Sequence, residues 1–175
     1  MKAICKEYPI DSINDLNFGG LIVSVVLKKS VWDRPFVMVS KSAYTLRQVD
    51  HEILRPKFKD PRIQFAIACG AKGCAPSRSE AYEGSKLDEQ LEDQAKKFIN
   101  DPVINKFDLA KKRASLSMLF NWSKKDFGGN DQALLLYVSK YLPEELRQVI
   151  LEDPKSWKVI FQKYDLTLND TKKLN

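Results

Sequence analysis

The sequence predicts an α+β fold in which several helices pack around a small, mainly antiparallel sheet. Segments with helix-capping residues and apolar positions at three-to-four spacing alternate along the chain with short segments of alternating polarity. The 175 residues, 43% hydrophobic and 30% charged, have the composition of an ordinary globular protein. There is no internal repeat or low-complexity tract. We therefore predict a single domain over residues 1–169, followed by a disordered tail over residues 170–175.

The first third of the chain predicts a short helix, a hairpin and a second helix. "MKAICKEY" has helical composition and stops at Pro9. "RPFVMVSKSAYTL" reads as a short hairpin that turns around residues 40–42. Thr45 and Gln48 form a capping box for a helix through "LRQVDHEILR", which Pro56 is expected to end.

The next segment, "IQFAIAC" at residues 63–69, alternates in polarity and predicts a buried strand that ends on Cys69. Ser85 and Asp88 then give a capping signal for a helix through "KLDEQLEDQAKKFIN". The apolar stripe of that helix consists of Leu87, Leu91, Ala95 and Phe98.

The remaining segments predict a second hairpin, three helices and a late strand. "NKFDLAKKRAS" is the hairpin, and Ser115 or Ser117 caps the helix that begins with "MLFNW". A glycine pair at residues 128–129 separates it from "DQALLLYVSKYL", and Pro143 lies in the first turn of "EELRQVILE". "WKVIFQKYDLTLN" closes the fold as a strand and an ordered loop.

The net charge of +6 is spread along the chain. Residues 1–60 carry ten Lys or Arg against seven Asp or Glu, and residues 61–175 carry nineteen against sixteen. Nucleic-acid binders gather basic residues on one face, so no nucleic-acid partner is predicted. The longest apolar run, at residues 21–27, is too short to span a bilayer and is expected to be a buried segment. The N-terminus lacks a signal peptide, which predicts a cytoplasmic protein, or an exported one if the natural N-terminus is longer.

The chain has three cysteines and one histidine, and these residues limit its chemistry. A thiol nucleophile needs a base, and His51 is the one imidazole that could serve Cys69 or Cys74. Asp50, Asp60 or Asp126 could orient that imidazole. The competing interpretation is that His51 lies on a helix surface and that Cys69 is a small buried apolar residue.

Metal, disulfide and nucleotide sites are less well supported. Cys69, Cys74 and His51 supply three ligands where structural zinc takes four, and Cys5 lies in the N-terminal helix, so no metal is predicted. A disulfide between Cys69 and Cys74 would need an oxidising compartment. "GAKGCAPSR" lacks the order of a P-loop, and the sequence suggests no cofactor.

Five ordered blocks resemble one known family: "DHEILRPKFKDPRIQFAIACGAKGCAPSRSEAY", "LDEQLEDQAKKFINDP", "LSMLFNWSKKDF", "YLPEEL" and "YDLTLN". From about Tyr8 to Asn169 they look like the domain of unknown function 547 family. The resemblance implies an α+β domain related to the papain and transglutaminase type. The residues that it singles out are His51, Arg55, Asp60, Pro61, Arg62, Cys69, Gly70, Cys74, Pro76, Trp122, Tyr164, Asp165 and Asn169.

Two departures from the family pattern bear on activity. Where this chain has Gln64, the family commonly has His, so His51 is the one candidate base. Family members also carry a helix before the segment that matches "KAICKEYPIDSIND", and further helices upstream of it. Met1 begins inside that first helix. We therefore expect a truncated N-terminal part.

One functional hypothesis is a cysteine-dependent amide or thioester hydrolase, or an acyl transferase. Cys74 is preferred to Cys69 as nucleophile because it lies in a glycine-flanked loop that is expected to be reachable. His51 would be the base, and Asp50 or Asp165 the orienting acid. Arg55 or Arg78 would be the carboxylate clamp, and the loop amides from Gly70 to Gly73 the oxyanion donors. Arg62 is also proposed to bind substrate.

Two alternatives involve no catalysis. In the first, the domain binds a peptide or another protein and the cysteines are structural. In the second, the chain is an inactive, truncated family member that self-associates through the apolar face left by the missing helices.

Overall fold

A computed structural model of the chain describes residues 2–16 and 31–170, which form two compact units. Of the described residues, unit one comprises 2–16, 31–60, 69–72 and 166–170, and unit two comprises 61–68 and 73–165. The apolar run at residues 21–27 and the tail residues 171–175 lie outside the described part of the chain. The single domain over residues 1–169 stays a prediction.

Unit one begins with helix α1, Lys2–Glu7, and contains the predicted first hairpin. Strand β1, Pro35–Val39, pairs antiparallel with strand β2, Ser42–Thr45. The chain turns at residues 40 and 41, where Ser40 adopts a left-handed conformation with φ of 53°. The hairpin prediction is confirmed.

The helix that follows the hairpin is longer than predicted. Its capping box is confirmed, because Thr45 and Gln48 exchange two side-chain to backbone hydrogen bonds of 3.0 Å. The helix is π-helical over Gln48–Leu54 and continues as α2, Arg55–Phe58. The prediction that Pro56 ends it is wrong. Pro56 lies in the first turn of α2, where its missing N–H is best tolerated. The helix closes instead at Lys59, in the left-handed conformation, whose N–H donates to the Arg55 carbonyl.

Backbone hydrogen bonds in unit one join residues 166–169 to residues 11–13 on one side and to residues 70–72 on the other. Gly70 is required in this arrangement. Its φ is +84°, and a Cβ added there would lie 2.6 Å from the Cδ1 atom of Ile4. A small apolar cluster packs on the joined segments and consists of Ile4, Leu16 and Leu168, with Ile10 and Ile13 at its edge.

Unit two contains five helices and a three-stranded sheet among its described residues. In chain order they are α3 (Ile63–Ala66), α4 (Leu87–Ile99), β3 (Lys106–Asp108), β4 (Arg113–Ser117), α5 (Met118–Trp122), α6 (Asp131–Ser139), α7 (Glu144–Glu152) and β5 (Lys158–Gln162). The sheet order is β3-β4-β5. Strands β3 and β4 pair antiparallel, as the second hairpin predicted, whereas β4 and β5 pair parallel.

The core of unit two is built around a cluster of phenylalanine rings. Phe65 is fully buried, and its ring centroid lies 5.2 to 5.9 Å from those of Phe98, Phe120 and Phe127. Side chains from α4, β4, α5 and α6 complete this core. Each unit combines helices with a small sheet, and the α+β prediction is confirmed.

Two local predictions in unit two are wrong. Residues 63–66 form helix α3 and not a strand. The helix begins at the turn formed by Pro61 and Arg62, whose carbonyls accept hydrogen bonds from the amides of Gln64 and Phe65. A short apolar run does not distinguish a buried strand from a buried helical turn. Ser85 does not cap α4, whose N-cap is Lys86 without a side-chain bond. The stripe of α4 is confirmed at Leu91, Ala95 and Phe98, whereas Leu87 is exposed.

Candidate functional site

His51 lies in the π-helical segment of unit one, with a partner at each ring nitrogen. Nδ1 lies 2.9 Å from Nη1 of Arg55, one turn further along the same helix. Nε2 lies 3.6 Å from a carboxylate oxygen of Asp50. Because a guanidinium can only donate, Nδ1 accepts and the ring proton is on Nε2, facing Asp50. Neither nitrogen presents a lone pair to a thiol in this arrangement.

The exposure of the two candidate thiols is the reverse of what the sequence predicted. Cys74 is buried, with 7% of its surface exposed, and its Sγ atom donates to the carbonyl of Ile67 at 3.5 Å. Cys69 is only partly buried, and Cys5 is exposed. The expectation of a reachable Cys74 is therefore wrong: the loop folds back onto the end of α3 and encloses the side chain. None of the three cysteines forms a disulfide bond.

The three arginines proposed to bind substrate are engaged within the protein. Arg55 contacts His51, as described above. Arg62 pairs with Asp88 and Glu92 on α4, at 2.7 and 3.2 Å. The Arg62 guanidinium thus joins the start of α3 to α4, whereas Arg55 contacts a residue of its own helix. Any role for them in substrate binding stays a prediction.

Arg78 is the centre of a polar network that fastens residues 76–83 to α4. Its guanidinium donates to the carboxylates of Glu80 and Asp93. Gln90 bonds the backbone of residues 81 and 83, and Gln94 bonds the carbonyl of Pro76. The hydrogen bond from Arg78 is the main reason that the pKa of Glu80 lies below its ordinary value. The pKa of Asp93 is lowered by Lys97 first and by Arg78 second.

This network predicts a loss of stability in acid. A carboxylate with a lowered pKa in the folded state contributes stability above its unfolded pKa of about 4, and loses it as the pH falls through the folded value. We expect Arg78→Gln to reduce stability at neutral pH and to flatten the decline in acid, because Glu80 and Asp93 then titrate closer to their unfolded values. Urea unfolding at a series of pH values would test this. Parallel pH profiles for Arg78→Gln and wild type would contradict it.

The glycine loop that was proposed as an oxyanion hole donates its amides elsewhere. In unit one, Lys72 N–H bonds the Thr167 carbonyl. In unit two, Gly73 N–H bonds the Asp165 carbonyl at 2.9 Å. A Cβ at Gly73 would lie 2.9 Å from the Asp165 nitrogen and 3.2 Å from the Tyr164 ring. Gly73 therefore lets the loop approach residues 164–165 closely, while Asp165 itself is exposed.

Beside this contact, an aromatic pair lies at the surface of unit two. Trp122 is the last residue of α5, and 62% of its surface is exposed. Its ring centroid lies 4.8 Å from that of Tyr164, at an interplanar angle of 52°. Trp122 thus keeps most of its ring at the surface while it packs on a second aromatic ring. The family resemblance singled out both residues, but nothing in the local pattern predicted that Trp122 would be exposed.

Gln64 also occupies an unexpected position. Its side chain, predicted for one face of a strand, is buried in unit two. It accepts a hydrogen bond of 2.8 Å from the Ser123 hydroxyl and donates one of 3.1 Å to Asp126. Asp126 is therefore bonded to Gln64 within unit two, and its predicted role in orienting His51 stays a prediction. Among the described residues, no group of three or more His, Cys, Asp or Glu side chains could hold a metal ion.

The fold and the residues above define an α+β protein with two small sheets and an exposed tryptophan that packs on Tyr164, beside Gly73. A family model described as "Protein of unknown function, DUF547" matches residues 1–99. The chain belongs to the DUF547 family, as the resemblance predicted. The blocks beyond residue 99 lie outside that match. No curated protein and no solved structure matches the chain. In the described residues, no helix has the length and apolarity to cross a membrane.

Proposed function

We propose that the chain is a non-catalytic module that binds a peptide or another protein at the surface formed by Trp122 and Tyr164. The exposed indole of Trp122 carries the proposal. Tryptophan and tyrosine are enriched among the residues that contribute most to protein binding. The tilted rings present a wide apolar surface with polar edges, and only part of it is buried within the chain.

The surroundings of this aromatic surface are suited to a fixed binding site. Tyr164 and the Asp165 backbone rest on Gly73, where no side chain could be accommodated. Trp122 ends a helix whose preceding turn is anchored in the phenylalanine core through Phe120. The rings are therefore held on regular structure, which reduces the entropy lost when a partner binds.

The hydrolase hypothesis has less support. The two ring nitrogens of His51 contact Arg55 and Asp50, and the Cys74 thiol donates a hydrogen bond to a backbone carbonyl. In a thiol enzyme, the base needs a lone pair that can accept the thiol proton, and the nucleophile needs an accessible sulfur atom. The aromatic surface requires neither.

The binding proposal can be tested with a displayed peptide library that is selected on the full chain. We expect Trp122→Ala to weaken the affinity for the selected peptides about thirty-fold, which is the effect of losing one central aromatic contact. Trp122→Phe should retain part of the affinity, because it keeps an aromatic ring. Affinities measured by titration calorimetry on variants with wild-type circular dichroism would report the effect.

Two controls make the result specific. Leu151→Ala shortens another exposed apolar side chain of unit two and should leave affinity unchanged. Cys74→Ser should also bind normally. Peptides that bind Trp122→Ala as tightly as wild type would refute this surface, and loss of all binding in Cys74→Ser would favour the thiol hypothesis.

Thiol labelling provides a separate prediction. With iodoacetamide at neutral pH, we expect Cys5 to react fastest and Cys74 slowest, about tenfold more slowly than a model thiol, because its reaction requires local opening. His51→Gln should alter none of the three rates. Mass spectrometry of the labelled peptides would measure them. A Cys74 that reacts faster than the model thiol, and that slows in His51→Gln, would restore the hydrolase hypothesis.

A further inference from the structure

One end of the sheet in unit two carries a concentration of charge that the proposed peptide-binding surface does not use. Strand β3 ends there, and β4 and β5 both begin there. The end comprises residues 108–113, which form the hairpin turn, and residues 153–158, which lead into β5. The Lys158 amide donates to the Lys112 carbonyl at 2.8 Å and joins the two segments. We call these residues the sheet tip.

The sheet tip is strongly cationic. Its two segments contain five basic residues, Lys111, Lys112, Arg113, Lys155 and Lys158, and two acidic ones, Asp108 and Asp153. The ion pairs between them are long, from 3.4 to 3.9 Å. Within the described part of the chain, Lys155 and Lys158 form no ion pair. A positive excess is therefore left at this surface.

The register places two of these cations side by side. Arg113 on β4 is the registered neighbour of Lys158 on β5. Like charges at adjacent positions on paired strands destabilise a sheet. An external anion beside these two cations would relieve the repulsion.

The turn of the sheet tip also exposes an apolar side chain. Leu109 is 52% exposed in the turn itself. The turn is fixed by bonds from the Lys111 amide to the Asp108 carboxylate at 3.0 Å and from the Lys112 amide to the Leu109 carbonyl at 3.2 Å. Leu109 is thus presented at the end of a hairpin, beside basic residues.

This combination favours a lipid surface over other polyanions. Single-stranded nucleic acid is bound by basic grooves that also offer exposed aromatic rings for stacking, and Trp157, the one ring of the sheet tip, is buried. Segments that bind the membrane interface pair basic residues, which meet lipid phosphates, with apolar side chains, which enter the acyl boundary. We propose that the sheet tip binds the surface of a membrane that contains anionic phospholipids, with Leu109 inserted and the five cations on the phosphates.

Vesicle co-sedimentation of the full chain tests this proposal. We expect binding to phosphatidylcholine vesicles that contain phosphatidylserine, little binding to phosphatidylcholine alone, and weaker binding as salt is raised. Lys111→Gln combined with Lys112→Gln should lower the partition coefficient about 25-fold, at roughly fivefold for each lysine removed. Leu109→Ser should lower it severalfold without changing the net charge.

The matched control is Lys96→Gln combined with Lys97→Gln, which removes the same charge from adjacent exposed lysines on α4. This control should bind nearly as well as wild type. An equal loss in both double variants would overturn the proposal, because net charge alone would then explain binding. Equal binding to both vesicle types would overturn it as well. The protein could instead bind an oligonucleotide as tightly as it binds vesicles, with the same affinity in Leu109→Ser as in wild type. That result would show that the sheet tip binds a soluble polyanion and would overturn the proposal.

Discussion

Phe65→Ala is expected to lower the free energy of unfolding by about 4 kcal/mol, the largest effect of any single substitution considered for this chain. The Phe65 side chain is fully buried and contacts three other rings, those of Phe98, Phe120 and Phe127. Truncation would remove these contacts and leave a cavity that the surrounding rings cannot fill, since α3, α4 and α5 are all anchored around it. Urea unfolding followed by circular dichroism would measure the loss.

Phe58→Ala is the matched control. Phe58 ends α2 and is 55% exposed, so the same truncation there should cost less than about 1 kcal/mol. If Phe65→Ala destabilised the chain no more than Phe58→Ala, then α3 would not hold its ring in the core. The strand that the alternating sequence first predicted would then need to be reconsidered.

Gln64→Leu is expected to cost about 3 kcal/mol, although leucine is similar in size and more apolar. The substitution removes the acceptor of the buried Ser123 hydroxyl and the amide that donates to Asp126. Buried polar groups that lose a partner retain their full desolvation penalty, which is larger beside a carboxylate. The midpoint of urea unfolding would again report the change.

Two comparisons separate this effect from a general cost of removing an amide. Gln132→Leu on α6 alters an exposed glutamine and should change stability by less than about 0.5 kcal/mol. Gln64→His should cost less than Gln64→Leu, because a neutral imidazole also offers one acceptor and one donor. A Gln64→Leu variant as stable as wild type would show that the Ser123 and Asp126 contacts contribute nothing.

The elements that sequence predicted well are those set by neighbouring residues. The capping box of Thr45 and Gln48 and the two hairpins all depend on contacts within a few positions of the chain. The stripe of α4 follows from helical periodicity. Residues 63–66 were mispredicted because four residues fit either a strand or a helical turn. The choice was made by Pro61, Arg62 and the phenylalanine core.

The candidate site was less predictable, because its properties depend on distant partners. Cys74 lies in a glycine-flanked loop, which indicated exposure, yet the loop folds over its thiol toward Ile67. Arg62 and Arg78 looked suited to hold a substrate, but α4 presents carboxylates to both from ten or more positions away. Trp122 showed no local sign that its ring would remain at the surface.

The α+β class, the capping box at Thr45 and membership in the DUF547 family follow from the sequence, because periodicity, capping and motif order are properties of consecutive residues. Which side chains are accessible, and which are already bonded, depends on the folded chain. Burial and long-range pairing arise when segments far apart in the chain meet. For that reason, the sequence favoured His51 and Cys74 as the chemical centre, whereas the folded units expose Trp122 and the cationic sheet tip.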